Sequence, residues 1–134
     1  MVSDDNSILD GLRVLVADDY PVNQKVARKM LEKLGIEPIV VDDGQAAVEA
    51  FQGAEFDLVL MDCQMPVLDG FGATRAIREF EAEAGRKHTP VLAMTAYSTG
   101  KEQDEAREAG MDGWIEKPII IAKLAEQIRR AIEA

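Results

Sequence analysis

Five short apolar runs, each followed by a stretch with helical spacing, constrain this chain more than any other feature. The runs occupy residues 12–17, 39–41, 58–61, 91–94 and 114–115. Helical patterns fall at residues 21–34, around 46–51, at about 71–84, near 101–109 and at 121–134. The runs are continuously apolar rather than alternating, which is the pattern of strands covered on both faces. A βα unit repeated five times predicts an α/β fold, a doubly wound five-stranded parallel sheet with helices on both faces. Gly35, Gly110 and Gly113 stand where such helices should stop. At 134 residues the chain is about one domain long. Residues 1–10 are polar and aperiodic and read as a tail or linker, leaving 11–134 as the domain.

Each of four predicted strands runs into a chemically useful side chain. The first ends at Asp18-Asp19, the third at Asp62, the fourth at Thr95 and the fifth at Lys117. Only the second lacks a clear candidate, although Asp42-Asp43 follows it. In open parallel sheets, sites form at the carboxyl ends of the strands. Taken singly, each residue has a plain structural explanation. Asp18-Asp19 could cap the helix that begins at Pro21. Asp62 could be a turn residue, Asp69-Gly70 a helix cap, and Lys117 a solvated charge before Pro118. Five such accidents at one end of one sheet are harder to accept than a site.

The chemistry of that set is specific. Facing carboxylates repel one another, and a hard divalent cation such as Mg²⁺ relieves them. A nearby lysine and hydroxyl suit a phosphoryl group, and an Asp carboxylate can itself form an aspartyl phosphate. Composition agrees with this partner class. With 25 acids against 15 bases the net charge is −10, which disfavours direct contact with nucleic acid or an anionic membrane. The single cysteine, Cys63, excludes an internal disulfide. No apolar run reaches the ~18–20 residues of a membrane span. The opening Met1-Val2-Ser3-Asp4-Asp5-Asn6 has no basic segment leading an apolar one, so no secretory signal is read there and a cytoplasmic location is expected.

At these residues the chain resembles the receiver domain of two-component response regulators. The stretch Asp62-Cys63-Gln64-Met65-Pro66-Val67-Leu68-Asp69-Gly70 is similar to the family's D-x-x-M-P-x-x-D-G around its phosphorylated Asp. Val16-Ala17-Asp18-Asp19 resembles the acidic pair, Met94-Thr95-Ala96 the switch threonine, and Lys117-Pro118 the lysine and its proline. The resemblance covers roughly Leu12 to the C-terminus and implies strand order 2-1-3-4-5, the flavodoxin-like arrangement. It implies Asp62 as nucleophile and phosphate carrier. Asp19, Asp62 and the Gln64 carbonyl would ligate Mg²⁺, with Asp18 acting chiefly through its waters. Thr95 would donate to a phosphoryl oxygen, Lys117 would pair with the phosphate, and the Lys117-Pro118 bond would be cis. Trp114 stands at the switch-aromatic position, where Tyr or Phe is usual. Tyr20-Pro21-Val22-Asn23-Gln24, Ala76-Ile77-Arg78, Thr89-Pro90 and Ala109-Gly110-Met111-Asp112-Gly113 resemble receivers joined to hybrid sensor histidine kinases, with Tyr20 replacing a common Asn.

These readings imply a phosphorelay module that accepts a phosphoryl group from phosphohistidine and sheds it again, not a turnover enzyme. A haloacid-dehalogenase-like phosphatase is the main alternative, but Gln64 stands where that class needs a second Asp, and Asp18-Asp19 precedes the nucleophile rather than following it. A flavodoxin needs a phosphate-cradling loop that Asp18-Asp19 would repel. A phosphorylation-independent interaction module would not need every site residue. The expected partner is a histidine kinase or histidine-phosphotransfer domain docking near the first helix. There Val22, Val26 and Met30 widen the apolar arc beyond the stripe one sheet face requires. Tyr97, two residues past Thr95, is expected to shield the phosphate from water. His88 reads as a solvated loop residue and Cys63 as a buried, inert thiol.

Overall fold

The computed structural model describes residues 9–96 and 100–133. Its elements are β1 (Arg13–Ala17), α1 (Pro21–Lys33), β2 (Glu37–Val41), α2 (Gly44–Gly53), β3 (Leu58–Asp62), α3 (Gly70–Ala84), β4 (Val91–Thr95), α4 (Gly100–Ala109), β5 (Gly113–Glu116) and α5 (Ile121–Glu133). The sheet order is β2-β1-β3-β4-β5, and every neighbouring pair is parallel. This is the doubly wound, flavodoxin-like arrangement expected from the sequence.

Burial explains why the runs differ in length. The central strands β3 and β4 are buried at every residue, so both faces demand apolar side chains. The edge strands β2 and β5 are only partly covered, and their apolar runs are correspondingly short. Alternate residues serve two cores. Leu15, Val59, Met61 and Ala93 meet Phe51 of α2, Ile77 of α3 and Ala106 of α4 on one face. Val16, Leu60, Leu92 and Met94 meet Leu31 of α1 and Leu124 and Ile128 of α5 on the other, where Leu9 is also buried.

Local chemistry sets most helix boundaries. Asp43 and Asp69 cap α2 and α3, their side chains accepting from the N–H groups of Ala46 at 2.7 Å and Gly72 at 2.8 Å. The acidic pair does not cap α1. Tyr20 is its N-cap without a side-chain bond, and Pro21 opens the helix. Gly35 and Gly110 follow α1 and α4 with positive φ, as helix stops should. Gly113 differs from expectation. It opens β5, because Asp112 is already tied to the sheet through its N–H on the Val91 carbonyl at 2.8 Å. Tyr97 lies outside the described residues. Among those residues, no helix is long and apolar enough to cross a membrane.

Candidate functional site

The strand order places the carboxyl ends of β1, β3, β4 and β5 side by side, and the five expected side chains follow. Carboxylate oxygens of Asp18, Asp19 and Asp62 all lie within 4.8 Å of one another. Lys117 Nζ sits 3.3 Å from Asp18 Oδ2 and 3.4 Å from Asp62 Oδ1, so one ammonium bridges two strands' carboxylates. The Lys117 N–H donates to the Thr95 carbonyl at 2.8 Å, and the Lys117-Pro118 bond is cis. A cavity of about 150 Å³ opens beside them, lined by Asp62, Gln64, Thr95, Glu102 and Lys117 among others.

Asp18 is almost wholly buried, and its Oδ1 accepts the Tyr20 N–H at 2.9 Å while Oδ2 faces Lys117. Asp19 is exposed at the rim. Asp62 is buried, with Oδ1 accepting from the Gln64 N–H at 3.3 Å. Burial raises the Asp62 carboxyl above its ordinary range; Lys117 opposes that shift and Asp18 adds to it. Burial also pushes the Cys63 thiol up to about 12, as an inert thiol requires. The donor set is all oxygen, and three acids face one ammonium. Such a site fits a hard divalent cation.

The loop from Asp62 to Gly70 is shaped by its sequence. The Leu68 N–H donates to the Pro66 carbonyl at 2.7 Å around Val67, whose φ is +71°. That is the rare γ-turn form, here centred on an exposed β-branched residue. The Gly70 N–H closes the loop on the Cys63 carbonyl at 3.1 Å.

Sequence reasoning missed two contacts here. Thr95 Oγ1 donates to Glu102 Oε1 at 2.9 Å, a contact that the helical spacing near 101–109 does not announce. Gln24 Nε2 bonds the Asp18 carbonyl at 2.6 Å and Asp42 Oδ1 at 2.7 Å, joining the first two strand-end loops. The signal for the second lay in Gln24 and Asp42 themselves, polar residues close to strand ends. On α1, Val22 is 56% and Val26 37% exposed, whereas Ala27 and Leu31 are buried. Met30 differs from its two companions: it is half-buried against the core. His88 is an exposed loop residue, yet its Nε2 lies 2.8 Å from Asp112 Oδ1. Trp114 is half-buried in β5, with the Arg107 guanidinium 5.8 Å from its ring centroid.

Comparison with known proteins gives a consistent result. The response regulator receiver domain family matches residues 14–129. Sensor protein GacS of Pseudomonas syringae pv. syringae is 44% identical over 116 residues, which is 87% of this chain but 13% of that protein. The chain thus spans about an eighth of such curated relatives. The receiver domain of sensor histidine kinase PA1611 from Pseudomonas aeruginosa PAO1, solved with a magnesium ion coordinated in its active site cleft, superposes with a TM-score of 0.84. It is 37% identical, with 92% of this chain and 99% of that one covered. The receiver domain of Ssk1 from Saccharomyces cerevisiae, solved with the histidine phosphotransfer protein Ypd1, gives a TM-score of 0.85 at 28% identity, covering 90% and 88%.

Proposed function

The chain belongs to the response regulator receiver domain family, and from that premise we propose that Asp62 accepts a phosphoryl group from a phosphohistidine donor. The observation that carries this reading is the convergence of Asp18, Asp19 and Asp62 within 4.8 Å, with Lys117 Nζ 3.4 Å from Asp62 Oδ1. In the transfer an Asp62 oxygen forms the new O–P bond as the donor's N–P bond breaks. The electron pair of that bond returns to the imidazole, which takes up a proton. The product is an aspartyl phosphate and a free histidine.

Each residue has a role that follows from its place. Asp62, desolvated at the end of β3, is the nucleophile. Lys117, already beside it, offsets charge on the incoming phosphoryl oxygens. Thr95 Oγ1, across the same cavity, is the hydroxyl donor to one of those oxygens. The Asp19 and Asp62 carboxylates, with the Gln64 carbonyl, would hold Mg²⁺, and Asp18 would act through its waters. When bound, the ion neutralises developing charge on the phosphoryl group. The domain is a carrier in a relay rather than a turnover enzyme and works in the cytoplasm; it extends from 11–134 back at least to Leu9, which is buried in the core.

The donor must reach Asp62 in line, so its protein has to surround the mouth of the cavity. Val22 and Val26 on α1 present the apolar surface that a helical histidine-bearing partner would grip, with Met30 contributing its exposed edge. Tyr20 before the helix and Ile120 after Pro118 are also more than half exposed. The whole protein to which this domain belongs is, in this reading, a hybrid histidine kinase. Intact mass after incubation with acetyl phosphate tests the core of the proposal: one phosphoryl group should appear with Mg²⁺ and none with EDTA. Equal labelling in both would overturn it.

A further inference from the structure

The contact between Thr95 and Glu102 conflicts with the role just assigned to Thr95. A hydroxyl carries one proton to donate, and Thr95 Oγ1 points its proton at Glu102 Oε1, 2.9 Å away. Thr95 is buried, so open solvent cannot easily supply an exchange partner for that bond. Glu102 reaches it from the first turn of α4, where a carboxylate is also favoured by the helix dipole. It lines the same cavity of about 150 Å³ as Asp62 and Lys117.

A phosphoryl group on Asp62 would bring two or more negative oxygens into that cavity. The Glu102 carboxylate and a phosphoryl oxygen would then compete for one hydroxyl proton while repelling each other. The helix that carries Glu102 buries little apolar surface. Its buried residues are only Ala106 and Ala109, so a shift of its first turn loses little apolar burial. We propose that Glu102 is an internal latch: its carboxylate holds the Thr95 hydroxyl while Asp62 is unmodified, and the phosphoryl group displaces it, moving the first turn of α4. Glu102 touches no reacting atom and is a positioning residue, acting through Thr95. The inference rests on the assignment of Asp62 as phosphoryl acceptor.

The latch predicts a gain on removal, which loss of a merely structural contact would not give. With Mg²⁺ saturating, beryllofluoride serves as the phosphoryl mimic and the fluorescence of Trp114 as the signal. Trp114 lines the adjoining space together with Thr95 and Glu102. Glu102→Ala should bind beryllofluoride about tenfold more tightly than the wild type, the scale of one hydrogen bond to a charged group. Glu102→Gln, which keeps an acceptor but loses the charge, should fall between them. Hydrogen exchange in the first turn of α4 should rise on adding beryllofluoride to the wild type and be raised already in unliganded Glu102→Ala. Equal or weaker binding by both variants, or wild-type α4 exchange indifferent to the mimic, would overturn the latch alone. A wild type that binds no beryllofluoride at all would overturn the acceptor assignment with it.

Discussion

Gly70 lies so close to Asp62 that a methyl group on its Cα would collide with the Asp62 carbonyl oxygen. The glycine at the start of α3 therefore sets how near the helix comes to the end of β3, and with it the seat of the Asp62 carboxylate. The collision is with backbone, which has no rotamer to yield. Gly70→Ala should destabilise the domain by about 1–3 kcal/mol, the usual scale of overpacking. Thermal or urea unfolding measures it. A variant as stable as the wild type would mean the loop gives way more easily than its hydrogen bonds imply.

Metal binding should depend on the carboxylates unequally. Asp18 is engaged by the Tyr20 N–H and by Lys117, whereas Asp19 stands at the open rim. Asp19→Ala should weaken the Mg²⁺-induced change in Trp114 fluorescence by ~10–100-fold or more in affinity, since even outer partners of metal ligands cost that much. Matching titrations in wild type and variant would remove Asp19 from the ligand set.

Docking should separate from chemistry. Val22→Asp places a charge in the exposed apolar patch of α1 without touching the cavity. Transfer from a phosphohistidine protein should slow about tenfold or more, as for loss of an interface anchor, while labelling by acetyl phosphate stays unchanged. Equal losses with the two donors would show that Val22 supports the fold or the site instead.

Much of this was legible in the sequence, and the exceptions have physical causes. The sheet was readable because β3 and β4 are buried on both faces and so carry unbroken apolar runs. The site was readable because parallel strands deliver their C-terminal residues to one edge, where Asp18, Asp62 and Lys117 now meet. Glu102 was not, because a carboxylate in the first turn of a polar helix has the same sequence signature whether it faces water or Thr95. The same holds for Arg78, whose guanidinium ties Glu81, Asp112 and the Thr89 carbonyl together across 34 residues of sequence. Periodicity reports burial of apolar faces, and it is silent on which polar tip finds which partner. Met30 shows the limit from the other side: the arc it belongs to was visible, but its share of the core was not.

Acid should reveal the strain on the acceptor. Asp62 titrates above its ordinary value of 3.8 in the metal-free fold, mainly through burial. A raised carboxyl destabilises the fold when ionised. That penalty is fully present above the raised value, shrinks as pH falls through it, and is gone below the ordinary value. In EDTA at neutral pH, Asp62→Asn should therefore unfold at a higher temperature than the wild type, and the advantage should vanish below about pH 3.8. A less stable Asp62→Asn at neutral pH would mean the attraction to Lys117 outweighs desolvation.

The acceptor itself is tested most directly by replacing its oxygen. Wild type and Asp62→Asn are incubated with Mg²⁺ and acetyl phosphate, and intact mass is read before and after hydroxylamine, which cleaves acyl phosphates. The wild type should gain one phosphoryl group and lose it to hydroxylamine, while Asp62→Asn, folded and unchanged in circular dichroism, should gain none. Undiminished hydroxylamine-labile labelling of Asp62→Asn would contradict the account at its centre.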